Sequence, residues 1–212
     1  MTTYYRIDAV MLEKLQGVNG ATESGIYAQG YRIMESLNNI GYLFASILLP
    51  LFAYNIAQKK EIKTLLKSSV SIMFCLAASI VIGLFHYKKD IIQLLYSNTN
   101  VEYSSEVFGY LLLNFFPVAI LYVIGTLLTA NQNFKLMIYT LVFAVIINIS
   151  LNLYLITHFG AKGAGEATLI TQLFMLICYT FYSMRVFKIS FNLIYTSRLL
   201  AFLFLSSLLI YT

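Results

Sequence analysis

Apolar residues run through this chain in long blocks separated by short polar or basic connectors. Most blocks match the roughly 20 residues a helix needs to cross the hydrocarbon core of a bilayer. Read this way, the pattern predicts spans at 2–16, 25–57, 68–87, 107–130, 134–157, 167–187 and 199–212. The first and last are short of a crossing, so the chain reads as a fragment of a longer multi-span protein. Pro50 is expected to kink or break the second span near its end, and Pro117 to kink the fourth. Between the third and fourth, Ile91, Ile92, Leu94, Leu95 and Tyr96 suggest a short helix lying in the interface. Gly17 to Gly25, which contains Asn19-Gly20, and the run HFGAKGAGEAT beginning at His158 read as turns. The fold class is therefore all-α, a polytopic transmembrane helix bundle forming a single unit over 1–212.

Composition supports that reading: the chain is 59% hydrophobic and 11% charged, against about 25% charged residues in an ordinary soluble domain. The net charge of +5 is not a nucleic-acid signature, because no basic run with interleaved aromatics lies on a soluble face. The basic residues fall between apolar blocks, where they set topology. Lys59, Lys60, Lys63, Lys67, Lys135, Arg185, Lys188 and Arg198 group on one side, and Lys14, Lys88, Lys89 and Lys162 on the other. The larger group belongs in the cytoplasm, so the N-terminal end starts on the cytoplasmic side and the glycine-rich turns face out. Trp is absent, which leaves interfacial anchoring to Tyr. Cys75 and Cys178 lie in apolar runs and read as small buried hydrophobes. Nothing after Met1 resembles a cleaved secretory signal.

Charges inside spans carry the functional signal, since each costs several kcal/mol by most estimates and needs a partner. Arg6 and Asp8 fall about 10 to 14 Å in from the outer edge, counted back from Leu15 at ~1.5 Å per residue. They are expected near mid-membrane. Two residues apart, they point to different sides of their helix, so Arg32 or Glu35 across the hairpin is the expected partner of each. On the second span Tyr31, Glu35, Asn38, Asn39 and Tyr42 recur at three- and four-residue spacing and form one polar stripe. Arg32 and Glu35 are close enough to pair. Two readings fit: a structural helix–helix pair near the outer interface, or the wall of a polar cavity. Glu13 and Lys14 at the helix end read as solvated or snorkelling. Asn148 and Asn152 share a face of the fifth span, as hydrogen-bonding glue between helices or as cavity-lining groups. Gly160, Gly163 and Gly165 read as a turn and close-packing site, because no strand and no lysine-serine pair supports a phosphate loop. His86 and His158 have no ligand-spaced companions and no nucleophile with base and orienting acid is visible, so an enzyme is not favoured.

Three stretches, RIDAVMLEKLQGVNGATESGIYAQGYRIMES, LLP ahead of a basic connector, and NISLNLYLITHFGAKGAGEATLITQ, resemble the polysaccharide flippase branch of the multidrug/oligosaccharidyl-lipid/polysaccharide exporter superfamily, the O-antigen and lipid-linked oligosaccharide translocases. The resemblance implies two helical bundles opening alternately to each side, this chain covering the C-terminal one and lacking the N-terminal bundle. It implies an undecaprenyl-pyrophosphate-linked oligosaccharide as substrate. Arg6 and Arg32 become candidate phosphate contacts, and Tyr31, Asn38, Asn39 and Asn148 candidate sugar contacts. Asp8 and Glu35 would pair these cations or couple transport to a proton or sodium ion, with no other cofactor and no metal centre. A drug or metabolite antiporter of the same superfamily is the alternative, and a membrane-embedded glycan polymerase or acyltransferase a more distant one.

Overall fold

The computed structural model describes residues 2–96, 100–189, 197 and 201–202, with side chains from residue 7 onward. The expected last span and Arg198 therefore lie, apart from Ala201 and Phe202, outside the described residues. Among the described residues the elements in order are α1 (Thr2–Leu15), α2 (Gly20–Ala57), α3 (Ile62–His86), α4 (Lys88–Leu95), α5 (Val101–Ala130) and α6 (Phe134–Val186), with a 3-10 turn (Gly17–Asn19) between α1 and α2. No strand occurs among the described residues. Helical segments Gly17–Ala57, Ile62–His86, Val101–Ala130 and Phe134–Val186 are each long and apolar enough to cross a membrane. The protein is an all-α polytopic bundle.

Two connectors are tighter than their composition suggests. The turn expected over 17–25 shrinks to the 3-10 turn, entered at Gly17 with a φ of 54°. There α1 and α2 approach so closely that a side chain on Gly20 would run into the Glu13 carbonyl. The turn expected from His158 reduces to one residue, Gly160, whose φ of 58° and ψ of −135° interrupt α6. Carried on straight, the 53 residues of α6 would make a rod of about 80 Å. Instead a Cβ on Gly163 would meet the Leu155 backbone, so the second half of α6 folds back along the first. The helix α2 runs through Pro50 to Ala57 without a break. Lost ladder bonds of this kind are tolerated in lipid when neighbouring groups compensate.

At the centre stands α5, which beyond its polar first turns is apolar nearly all round, as a helix enclosed by others must be. It packs against α2, α3, α4 and α6. Met34, Phe52, Met73 and Phe115 form the core between α2, α3 and α5, and Phe74, Leu121, Leu128 and Met175 the core toward α6. Because lipid tails are as apolar as leucine, association in a membrane depends on close packing, often at small residues. Here Gly30 sits against Phe108 and Leu111, and Gly41 against the Tyr122 ring. A methyl on Gly41 would come 2.7 Å from Tyr122 Cε2. Gly41→Ala is therefore expected to destabilise the bundle by about 1–3 kcal/mol through overpacking, and Tyr122→Leu to recover part of that loss. Thermal unfolding of the two single variants and the double variant in detergent checks both. The short α4 occupies the stretch expected to lie in the interface, with Ile92 buried against Phe108 and Leu112 and with Leu94 and Leu95 exposed.

Candidate functional site

A side chain that must find partners inside a bundle reveals which helices meet around it. Asp8, on α1, is completely buried. Tyr27 of α2 donates its hydroxyl to Asp8 Oδ2 at 2.8 Å, and Thr168, from the second half of α6, donates to the same oxygen at 2.7 Å. Asn152, from the first half of α6, donates its amide to Asp8 Oδ1 at 2.6 Å and shares it with Asn148 Oδ1 at 3.2 Å. One carboxylate thus joins α1, α2 and both halves of α6. The apolar surround of this node is Leu12, Ile26, Val107, Leu111 and Ile156.

The expected pairing of Asp8 with Arg32 or Glu35 is not what forms. Its three donors among the described residues are neutral, and their hydrogen bonds act in surroundings where they are electrostatically stronger than in water. Arg32 and Glu35 both point outward and make no ion pair with each other among the described residues. The reason is rotational: Tyr27 lies on the α2 face turned toward α1 and α6, whereas Arg32 and Glu35 lie on the face turned away from the packed core. Arg6 belongs to α1, but its side chain lies outside the described residues.

Asn152 lies about 27 Å along α6 from Phe134 and about 12 Å short of Gly160, at ~1.5 Å per residue, so the node stands nearer the Gly160 end of the bundle than the Phe134 end.

Two buried polar atoms at this node, Asn148 Nδ2 and Asn152 Oδ1, lack a hydrogen-bond partner, as does Gln172 Oε1, one turn beyond Thr168 on the second half of α6. Buried carbonyl oxygens without donors are costly, and Asn152 Oδ1 belongs to a side chain already bonded to the Asp8 carboxylate. Turning Asn152 over would bring Oδ1 toward Asp8, an arrangement that needs either a cation between them or a proton on the carboxylate. No cluster of three or more His, Cys, Asp or Glu occurs among the described residues, and the carboxylate, amide and hydroxyl oxygens of this node are hard ligands.

The remaining polar residues of α2 form a second feature. Arg32, Glu35, Ser36 and Asn39 are exposed, Tyr31 and Asn38 are half-buried, and Tyr42 is 64% exposed. Asn38 Oδ1 is buried without a partner. These groups share one side of a helix otherwise built for lipid, and a charged face there must meet protein or water. Asn148, expected among them, belongs instead to the Asp8 node, where it is 1% exposed.

Sequence reasoning overlooked Tyr27, Thr168 and Gln172, and took Glu23 as part of a turn. Tyr27 carried a usable signal, since it precedes Tyr31 by one helical turn and extends the polar stripe. Glu23 fixes the bend: its Oε2 accepts from Tyr103 Oη and from the Ala161 amide, both at 2.7 Å. It thereby caps the second half of α6 at its exposed N–H groups.

An elongated bundle with apolar helices, a buried ionisable node and a polar face on one helix defines a multi-pass cell-membrane protein. The chain belongs to the lipid II flippase MurJ family, whose model matches residues 24–212. Flippases of lipid-linked precursors are transporters, which agrees with the absence of a catalytic constellation in the sequence. Asp8 precedes the matched segment, whereas Tyr27, Asn148, Asn152 and Thr168 fall within it. No curated protein matches the chain.

Proposed function

We propose that this protein takes part in moving an undecaprenyl-pyrophosphate-linked saccharide across the cell membrane by alternating access, with lipid II as the substrate that the family match favours over an O-antigen repeat unit. The observation that carries this reading is the exposed face of α2, where Arg32, Glu35 and Asn39 stand together on a membrane helix. An arginine fork suits a pyrophosphate oxygen pair, while Asn38, Asn39 and Tyr31 offer groups for sugar hydroxyls and Arg6 is a further candidate cation. Facing this wall, a second helical bundle would complete the cavity. With the lysine-rich ends of α2 and α3 in the cytoplasm, the Arg32 face opens toward the outer half of the membrane.

Ion coupling falls to Asp8 in this reading. Asp8, Asn148, Asn152 and Thr168 supply oxygens from α1 and both halves of α6, and a sodium ion bound there would tie these segments together. Glu35, exposed beside Arg32, is the neighbour that tunes the phosphate-binding cation. A drug or metabolite antiporter would use the same bundle, but the exposed arginine favours an anionic substrate.

Arg32→Ala is expected to reduce export of the lipid-linked precursor by about tenfold or more, since charge-assisted hydrogen bonds contribute roughly 1.5–3 kcal/mol. Arg32→Lys should retain part of the activity as a point charge without the fork. Precursor reaching the outer leaflet, measured in cells depleted of their own flippase, tests this. Export at the parent level by Arg32→Ala at normal abundance would overturn it.

A further inference from the structure

Two cavities adjoin on a face of α5 other than the one that packs toward Leu12 and Tyr27. The first has a volume of about 410 Å³ and is lined by Phe85, Lys88, Glu106, Tyr110 and Lys162 over Gly109. The second, about 330 Å³, is lined by apolar side chains that include Val81, Ile82, Phe116, Leu169 and Leu173. Leu113 lines both. Together they follow α5 from Glu106 to Pro117, a length of about 16 Å.

Lys162 pairs with Glu106 and Tyr110 hydrogen-bonds Glu166, whereas Lys88 forms no salt bridge among the described residues, meets Glu102 only through longer-range attraction, and stands over the Phe85 ring at 4.4 Å. Gly109 makes this possible: a Cβ there would sit 3.4 Å from Lys88 Nζ and 3.2 Å from the Phe85 ring. Lys88 is half-buried, while its neighbour Lys89 is exposed and bound to Glu102 at 2.8 Å. Both cavity lysines lie at the end of the bundle where helices α3 and α6 turn, which is the level of the lipid headgroups. Below them the lining becomes apolar, and the rim residues Leu113 and Leu173 are exposed to the bilayer.

We propose that the two adjoining cavities form one site for an anionic phospholipid, its phosphate held by Lys88 and Lys162 and an acyl chain laid in the groove between α3, α5 and the second half of α6. Positive charge at one end and an apolar trough at the other match the two ends of such a lipid, and the surrounding bilayer supplies it. A zwitterionic lipid gains less from the unpaired Lys88. The bound lipid bridges α3, α5 and α6, and it lies apart from the Arg32 face and the Asp8 node.

The test is native mass spectrometry of the protein released into mild detergent from nanodiscs of equal phosphatidylglycerol and phosphatidylcholine. The parent protein is expected to retain phosphatidylglycerol preferentially. Lys88→Gln with Lys162→Gln should lower that retention about tenfold or more, the scale set by two lysines near a membrane surface. Leu173→Trp, which fills the exposed rim of the groove, should lower it as well, whereas Lys89→Gln should not. Equal retention of phosphatidylcholine would overturn the proposal, as would undiminished retention in the double glutamine variant or in Leu173→Trp. So would an equal loss in Lys89→Gln, or displacement of the lipid by millimolar inorganic phosphate. Unchanged melting temperatures of the variants separate lipid loss from misfolding.

Discussion

Asp8→Ala is expected to abolish ion-dependent transport and to weaken the bundle, while Asp8→Asn removes the first property and largely spares the second. Alanine leaves the Tyr27 and Thr168 hydroxyls and the Asn152 amide, which now converge on one carboxylate, without an acceptor in a site closed to water. Interhelical hydrogen bonds in membranes average well under 2 kcal/mol each, so losing three costs about 2–4 kcal/mol. Asparagine behaves differently. Its carbonyl oxygen can take the Oδ2 position and accept from Tyr27 and Thr168, and its amide can then donate to Asn152 Oδ1, an atom without a partner now, once that side chain turns over. The Tyr27 and Thr168 hydroxyls keep their acceptor and only the Asn152 amide N–H gives up the ones it has now, so Asp8→Asn should melt within about 1–2 kcal/mol of the parent.

The negative charge, however, is gone. Sodium is expected to raise the melting temperature of the parent protein in detergent, because a ligand that binds only the folded state stabilises it by mass action. The shift should vanish in Asp8→Asn, with potassium as the control salt. A parent protein indifferent to sodium, or an Asp8→Asn variant that still responds, would remove the ion-coupling role from Asp8. Thr168→Val is a milder version: it keeps the volume, deletes one donor and one ligand, and should reduce the sodium shift without eliminating it.

Much of this arrangement was legible in the sequence, because membrane helices announce themselves by length and hydropathy and because a charge within such a helix is conspicuous. Asp8 stood out for that reason, as did the stripe through Glu35, Asn38 and Asn39. What stayed hidden was the set of partners. Periodicity says which residues share a face of one helix and nothing about how two helices are rotated against each other. Arg32 was the nearest charge across the hairpin in sequence, yet α2 turns Tyr27 toward Asp8 and Arg32 away from it. Thr168 was hidden for another reason: it lies 160 positions from Asp8 and reaches it only because α6 folds back at Gly160. A glycine-rich run signals a turn, but it does not say that one residue suffices or that a glutamate from another helix closes it.

That single residue supports the second large effect, Gly160→Ala. Gly160 adopts a φ of 58° with a ψ of −135°, a region essentially closed to residues with a side chain. The added methyl would also lie 2.5 Å from Glu23 Oε2 and 2.8 Å from the Tyr103 hydroxyl. Relieving the contact requires Glu23 to withdraw, which releases the Ala161 amide at the start of the second half of α6 and the Tyr103 hydroxyl together. Backbone strain of about 1–3 kcal/mol adds to two lost hydrogen bonds to a charged group, each about 1.5–3 kcal/mol. Partial relaxation reduces the sum, leaving an expected loss of about 3–5 kcal/mol, enough to deplete the folded protein from the membrane. Glu23→Gln supplies the comparison, since it keeps an acceptor for Ala161 and leaves the glycine untouched, and it should cost about 1–2 kcal/mol. Because Thr168 is carried by the half-helix that Gly160 orients, a milder substitution at the bend, Glu23→Ala, should weaken the sodium response of a protein that still folds. Melting curves of the three variants with and without sodium decide the matter: an unaltered melting temperature for Gly160→Ala would mean that the bend is not held by this residue, and an unaltered sodium shift in Glu23→Ala would separate the bend from the Asp8 node.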